Sequence, residues 1–278
     1  MNTQLNQHFL IDQSIIDKLI QASDLWIDDT VVEIGPGTGN ITKNVLPLVN
    51  KVIGIELDRD LEEDLKQVQK ENHNLDIIYA NALDMYIPKC NKIISNLPFS
   101  IIEPFINKLI KCSFDSCILI TGDNYIDGVI NNDKNNLSLL TNAFFHVEKV
   151  CDILPDSFDP KPRTKAGIII LKHKSLEELK DNFELCMFRE LYFHRDMKIK
   201  NSLIEGLITY HNLLNKTLTK RESKDNINKL NIDENILSKK VDELSNDDIS
   251  IIYNKLSHLY DICKIKQDII LVNYNKIC

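Results

Sequence analysis

From Thr30 to Leu171 the chain alternates short, almost wholly apolar runs with stretches of helical spacing. Val31-Val32-Glu33-Ile34, Val52-Ile53-Gly54-Ile55-Glu56, Ile77-Ile78-Tyr79, Ile93-Ile94-Ser95 and Cys117-Ile118-Leu119-Ile120 read as strands. Asn40–Val49 and Leu61–Lys70 read as helices between them, and Ser14–Ser23 as an amphipathic helix ahead of them. Continuous apolar runs separated by helices predict a parallel sheet covered on both faces. Phe144–Val150 and Ala166–Leu171 read as later strands of that sheet. Beyond Lys174 the period is helical throughout, with Gly206 the only glycine and no proline. The expected organisation is an α/β domain over residues 1–174 and a small all-helical domain over 175–278. Within the second, the polar stretch Leu218–Asn235 reads as a loop or a frayed helix.

Length and composition agree with two globular domains: 278 residues, 43% hydrophobic and 27% charged, with only 8 Gly and 8 Pro. No apolar run is long enough to cross a bilayer. The start, Met1 to Gln7, has no basic segment followed by an apolar one, so a cytoplasmic location is expected. Seven cysteines, at 90, 112, 117, 151, 186, 263 and 278, are scattered and form no CxxC pair. That spacing suggests neither a disulfide framework nor a metal cluster, and fits a reduced compartment.

Glu33-Ile34-Gly35-Pro36-Gly37-Thr38-Gly39 places a glycine turn between a strand end and a helix start. Glycines there let the backbone approach a ligand where a β-carbon would collide. Glu56 ends the next strand, 21 residues after Gly35, where a carboxylate can accept both hydroxyls of a ribose. The turn alone leaves a nicotinamide cofactor open. Asn40, where GxGxxG needs glycine, and the lack of hydride-transfer residues favour S-adenosylmethionine (SAM), which carries no pyrophosphate. Asn81, at the third strand's end, can accept from the cofactor's adenine amino group, or can simply make a turn; Asp84 is near enough to substitute.

About sixty residues after the glycine turn stands Asn96-Leu97-Pro98-Phe99. An exocyclic amine of a base is a poor nucleophile because its lone pair is delocalised into the ring. Two acceptors on its hydrogens, the Asn96 side-chain oxygen and the Leu97 or Pro98 carbonyl, draw it towards a localised geometry. Pro98 fixes the turn and Phe99 offers a stacking face. Holding the nitrogen in line with a methyl donor supplies much of the acceleration, and the base must leave its helix to arrive there.

In these residues the chain resembles the ribosomal RNA adenine dimethyltransferases. The resemblance begins at Gln7-His8-Phe9-Leu10, and implies that His8 and Leu10 touch SAM. It continues through Glu33–Gly39, Glu56, Ala80-Asn81-Ala82-Leu83 and Asn96-Leu97-Pro98-Phe99-Ser100. Phe158-Asp159-Pro160-Lys161-Pro162-Arg163 looks like the family's Phe-x-Pro-x-Pro-Lys, which implies that Phe158 faces the target base opposite Phe99. Weaker echoes run through Phe193–Leu203, Leu230–Asp233 and Glu243–Ser245. The implied fold is a Rossmann-like, SAM-dependent methyltransferase sheet with a small helical domain that contacts RNA or the ribosome. The implied cofactor is SAM, bound by His8, Leu10, Gly35, Gly37, Glu56, Asn81 and Asn96. The implied substrate is small-subunit rRNA or a preribosomal small subunit, with no membrane and no metal.

The chain departs from the family's pattern in three places. Asn81 replaces an aspartate, and Thr121-Gly122-Asp123-Asn124 replaces a Gln-Lys-Glu stretch. The paired arginines of the helical domain are thinned to Arg195, Lys198 and Lys200. Net charge is −8 overall, −7 over residues 1–174 and −1 over the rest, whereas an RNA binder usually shows a basic footprint. Local basic clusters remain at Lys161, Arg163 and Lys165, at Arg195, Lys198 and Lys200, and at Lys216, Lys220, Arg221 and Lys224. A methyltransferase fold kept as a catalytically weak RNA-binding or ribosome-assembly factor is the alternative, and DNA adenine methylation a third reading.

Overall fold

The computed structural model describes residues 7–259. Cys263, Cys278 and the first six residues, on which the reading of the N-terminal start rests, lie outside them. In chain order come β1 (Phe9–Leu10), α1 (Gln13–Ser23), β2 (Thr30–Ile34), α2 (Asn40–Val45), β3 (Lys51–Glu56), α3 (Glu62–Glu71), β4 (Leu75–Tyr79) and β5 (Lys92–Asn96). Then follow α4 (Ile102–Leu109), β6 (Ser116–Gly122), α5 (Asp123–Ile130), α6 (Asn136–Phe144), β7 (Phe145–Ile153), β8 (Phe158–Asp159) and β9 (Ala166–His173).

Seven strands form one sheet in the order β4-β3-β2-β5-β6-β9-β7. The first five in that order are parallel, as the apolar runs predict. The last two are not: β9 runs antiparallel to both β6 and β7, so the sheet is mixed at one edge. β7 shows the reason, since most of its side chains are half-buried or exposed, as an antiparallel edge tolerates. β6 by contrast is buried at all seven positions. Chain order reverses at β2, with β3 on one side and β5 on the other. A crevice outside the carboxyl ends of the strands opens at such a switch point.

The chain separates into two compact units, one reaching to Asn131 and resuming over Phe145–His173, the other over Asn132–Phe144 and from Lys174 on. The second unit thus takes in α6, which lies inside the stretch expected to belong wholly to the first. Arg189 accounts for this. Its guanidinium donates to the Ala143 carbonyl at 3.1 Å and the Lys174 carbonyl at 2.9 Å, and lies 4.8 Å from the centre of the Phe144 ring.

In the second unit α7 (Phe183–Phe193), α8 (Ile199–Leu213), α9 (Lys220–Lys229) and α10 (Glu234–Ser238) precede helical residues 246–259. Gly206 is where α8 meets α7 closely: a Cβ there would stand 3.1 Å from that of Glu190. The stretch expected as loop or frayed helix forms α9, a short loop over 230–233 and the first two residues of α10. Thr219 and Glu222 close a reciprocal capping box at the start of α9, which satisfies main-chain donors that low apolar content leaves to capping. Among the described residues no helix is long and apolar enough to cross a membrane.

Candidate active site

The candidate residues sit at the carboxyl ends of the parallel strands. The glycine turn follows β2, Glu56 ends β3, Asn81 follows β4, Asn96 ends β5 and opens the tetrapeptide, and Gly122 ends β6. Gly35, Gly37 and Gly39 have φ of 71°, 60° and 80°, the left-handed region that only glycine enters freely. A Cβ on Gly35 would meet nothing within 4 Å, so the turn opens onto space. A Cβ on Gly37 would strike the Phe9 ring at 2.8 Å. The N-terminal arm is therefore laid directly on the turn.

Two carboxylates lie beneath. Glu56, 3% exposed, accepts the Gly37 N–H at 3.0 Å with one oxygen and the Asp58 N–H at 2.8 Å with the other. Four lone-pair sites per carboxylate leave two for a ligand. Burial raises its pKa, and those main-chain hydrogen bonds pull it back. Glu33, fully enclosed, accepts the Thr42 hydroxyl at 2.6 Å, and burial pushes it up to about 7, with Glu56 adding repulsion. Buried acids below an open glycine turn suit a ligand that carries positive charge and a ribose. A sulfonium nucleoside such as SAM has both, so the residues fit that cofactor.

The arm is fixed at several points. β1 pairs with β8, Phe9 opposite Asp159 and Leu10 opposite Phe158. His8 Nδ1 lies 2.6 Å from the Pro160 carbonyl, which can only accept, so that nitrogen carries the hydrogen. The Leu10 carbonyl accepts the Asn40 side-chain amide at 2.9 Å. Asp12 caps α1 and accepts the Ser157 hydroxyl at 2.9 Å, and hydrogen bonds from both Ser14 and Ser157 lower its pKa.

Asn96 donates its amide N–H to the His8 carbonyl at 2.8 Å. Its Oδ1 accepts no hydrogen bond among the described residues. The Leu97 N–H reaches the Ile120 carbonyl at 3.2 Å and ties the tetrapeptide to β6. The Pro98 carbonyl accepts the Ile101 N–H at 3.1 Å, closing the turn that begins at Phe99. Of the two main-chain acceptors considered, Pro98 thus accepts a hydrogen bond, whereas the Leu97 carbonyl accepts none among the described residues. Ser95 adds a buried tether, its hydroxyl donating to the Ile34 carbonyl at 2.8 Å.

Three expected residues are placed differently. Phe158, at 5% exposure, belongs to the buried apolar cluster that includes Leu10, Ile15, Ile16 and Ile168, so its ring supports the arm from the core. The Leu10 side chain is buried in the same cluster, leaving its main chain as the part near the turn. Asn81 folds onto its own turn: Oδ1 accepts the Leu83 N–H at 3.1 Å and Nδ2 donates to Asp84 at 2.7 Å. Asn40, Thr42 and Ser95 do work that no local pattern announces, because their partners lie 30, 9 and 61 residues away.

The family model for ribosomal RNA adenine dimethylase matches residues 1–242. The chain belongs to that family. Its members are SAM-dependent rRNA adenine dimethyltransferases, and this chain is an enzyme of that class. A probable ribosomal RNA small subunit methyltransferase A from Methanococcus aeolicus is 31% identical over 265 residues, 92% of this chain and 96% of that protein. The Pyrococcus abyssi counterpart is 33% identical over 211 residues, 74% of this chain and 76% of the other. Among solved structures, a dimethyladenosine transferase from Plasmodium falciparum superposes with a TM-score of 0.62 at 24% identity, covering 91% of this chain and 98% of that one. The 23S rRNA methyltransferase ErmE superposes with a TM-score of 0.58 at 18% identity, covering 90% and 99%. Both share the fold.

Proposed function

We propose that this chain dimethylates the N6 amino groups of two adjacent adenosines of small-subunit rRNA during ribosome biogenesis in the cytoplasm, in four transfers when both sites are completed. SAM, when bound, supplies a methyl group on a sulfonium, which leaves readily as a thioether. Gly35 would let it approach the main chain, Gly37 makes room for the Phe9 ring of the arm that would cover it, and the remaining lone pairs of Glu56 would accept its ribose hydroxyls. His8 and the Leu10 main chain cover it. Asn81, with its acceptor already on Leu83, shares the contact to its adenine with the neighbouring Asp84 carboxylate.

Asn96 Oδ1 and the Leu97 carbonyl accept the two hydrogens of the target amine, localising its lone pair towards the methyl. Phe99 stacks on the base, worth ~1–3 kcal/mol. Phe158 supports this arrangement from below through β1 rather than clamping the base itself. The observation that carries the reading is the Asn96 amide held by its nitrogen to His8, with its oxygen left open beside an open Leu97 carbonyl.

Incubation with labelled SAM and undermethylated small subunits tests it. Dimethyladenosine should form with the wild type and fall by orders of magnitude with Asn96→Ala. Equal labelling by both proteins would remove Asn96 from the chemistry.

One observation favours the assembly-factor reading. Of the basic residues expected to face RNA, Lys161 pairs with Asp156, Arg195 with Asp242, Lys200 with Glu234 and Lys220 with Glu205. Equilibrium dialysis with SAM separates the two: no binding would leave only the scaffold role.

A further inference from the structure

Gly122 ends β6 and stands at the start of α5 with φ −65° and ψ 142°. That is extended backbone which any residue adopts, so conformation does not call for glycine here. Space does. The three heavy atoms nearest to a Cβ at this position all belong to the Phe99 ring, at 3.2, 3.2 and 3.5 Å. Ordinary contact between carbons falls at about 3.5–4.0 Å. One side of the Phe99 ring therefore rests where any other residue would have a side chain.

Neither partner can easily retreat. The Leu97 N–H on the Ile120 carbonyl fixes the tetrapeptide to β6 two residues before Gly122, and the Pro98–Ile101 turn sets the direction of Phe99. β6 is buried throughout and paired on both sides, with β5 and β9. The added methyl would have to move the ring, by a few tenths of an ångström, away from Gly122. On the reading that Phe99 stacks on the target adenine, that displacement falls on the base and carries its amine off the Asn96 and Leu97 oxygens.

We propose that Gly122 is a positioning residue for methyl transfer: its missing side chain forms the seat that sets the Phe99 ring, and through it the base. The inference rests on the proposed function, and the cofactor pocket under β2 and β3 is not part of it.

The experiment is a double-mutant cycle of Gly122→Ala and Phe99→Leu. Single-turnover methylation of undermethylated small subunits is measured beside SAM affinity by equilibrium dialysis. Gly122→Ala should slow transfer about tenfold, the equivalent of about 1.4 kcal/mol, with SAM affinity within about twofold of wild type as the control for folding. Phe99→Leu should itself be slow. Adding Gly122→Ala to it should cost nothing further, because the smaller side chain leaves room for the methyl, and such non-additivity marks direct coupling. A Gly122→Ala protein as fast as wild type would overturn the proposal. So would the same fractional loss in both backgrounds, which would place the effect elsewhere. If the wild type itself transfers no methyl, it is the assigned activity that fails.

Discussion

The side-chain nitrogen of Asn96 is held 2.8 Å from the main-chain carbonyl of His8, 88 residues earlier in the chain. A carbonyl can only accept, so this contact fixes which end of the amide is which and leaves the oxygen for a substrate. The arm therefore determines the orientation of the residue on which the chemistry depends.

Asn96→Asp tests that directly. A carboxylate keeps the acceptor but cannot donate to His8, and would face the carbonyl's lone pairs instead. Transfer should fall by orders of magnitude, as for Asn96→Ala, while SAM still binds. Asp at near wild-type rate would mean that the tether is unimportant. Single-turnover rates of the two variants decide it.

Glu56→Gln should weaken both cofactor and turn. Each Glu56 oxygen accepts a main-chain N–H, from Gly37 and from Asp58. Glutamine keeps one acceptor and sets its NH2 against the other donor. Hydrogen bonds to a charged group are worth roughly 1.5–3 kcal/mol each, so SAM affinity should fall at least tenfold, read by isothermal titration. Urea unfolding of the ligand-free protein should show a loss of about the same size.

Glu33 gives a pH dependence of defined sign. Burial raises its pKa to about 7 in the folded chain, whereas the unfolded chain titrates in the ordinary carboxylate range. Between those values the folded chain holds a proton that the unfolded chain has lost. Stability from this group is therefore present at low pH, declines as pH rises to about 7, and is level above it. Glu56 shifts the same way. In Glu33→Gln, neutral and still able to accept from Thr42, the urea midpoint should fall less between pH 5 and 7 than in the wild type. Identical slopes would show that Glu33 is ionised throughout.

Arg163 and Lys200 should differ as RNA contacts. Arg163 is exposed and has no ion pair among the described residues. Lys200 is committed to Glu234 at 2.7 Å. If Arg163 contacts an RNA phosphate, Arg163→Ala should lower the slope of log affinity against log salt by about 1. Lys200→Ala should change it less. Filter binding at several salt concentrations compares them.

The parallel half of the sheet was legible because strands covered on both faces cannot alternate polar with apolar residues, and β2, β5 and β6 do not. Glu56 and Asn96 could be placed because each ends such a strand. What escaped depends on distance in sequence. Nothing near Asn40 or Asn96 signals that their amides reach Leu10 and His8. Nor does Phe158 announce its burial, which follows from Leu10 pairing opposite it. Helix α9 escaped for a different reason: the Thr219-x-x-Glu222 signature was present, but the segment offers little apolar periodicity to go with it.

Every group assigned a part in the reaction follows the carboxyl end of a strand or lies on the arm above, and Trp26 does not. The chain's single tryptophan, 66% exposed, stands in the turn that leads into the amino end of β2, with its main-chain N–H donating to the Asp29 carboxylate. Intrinsic fluorescence is thus a spectator to whatever enters the crevice. A titration that watches this indole will see no cofactor arrive, and the same remoteness makes position 26 a convenient place to attach a dye.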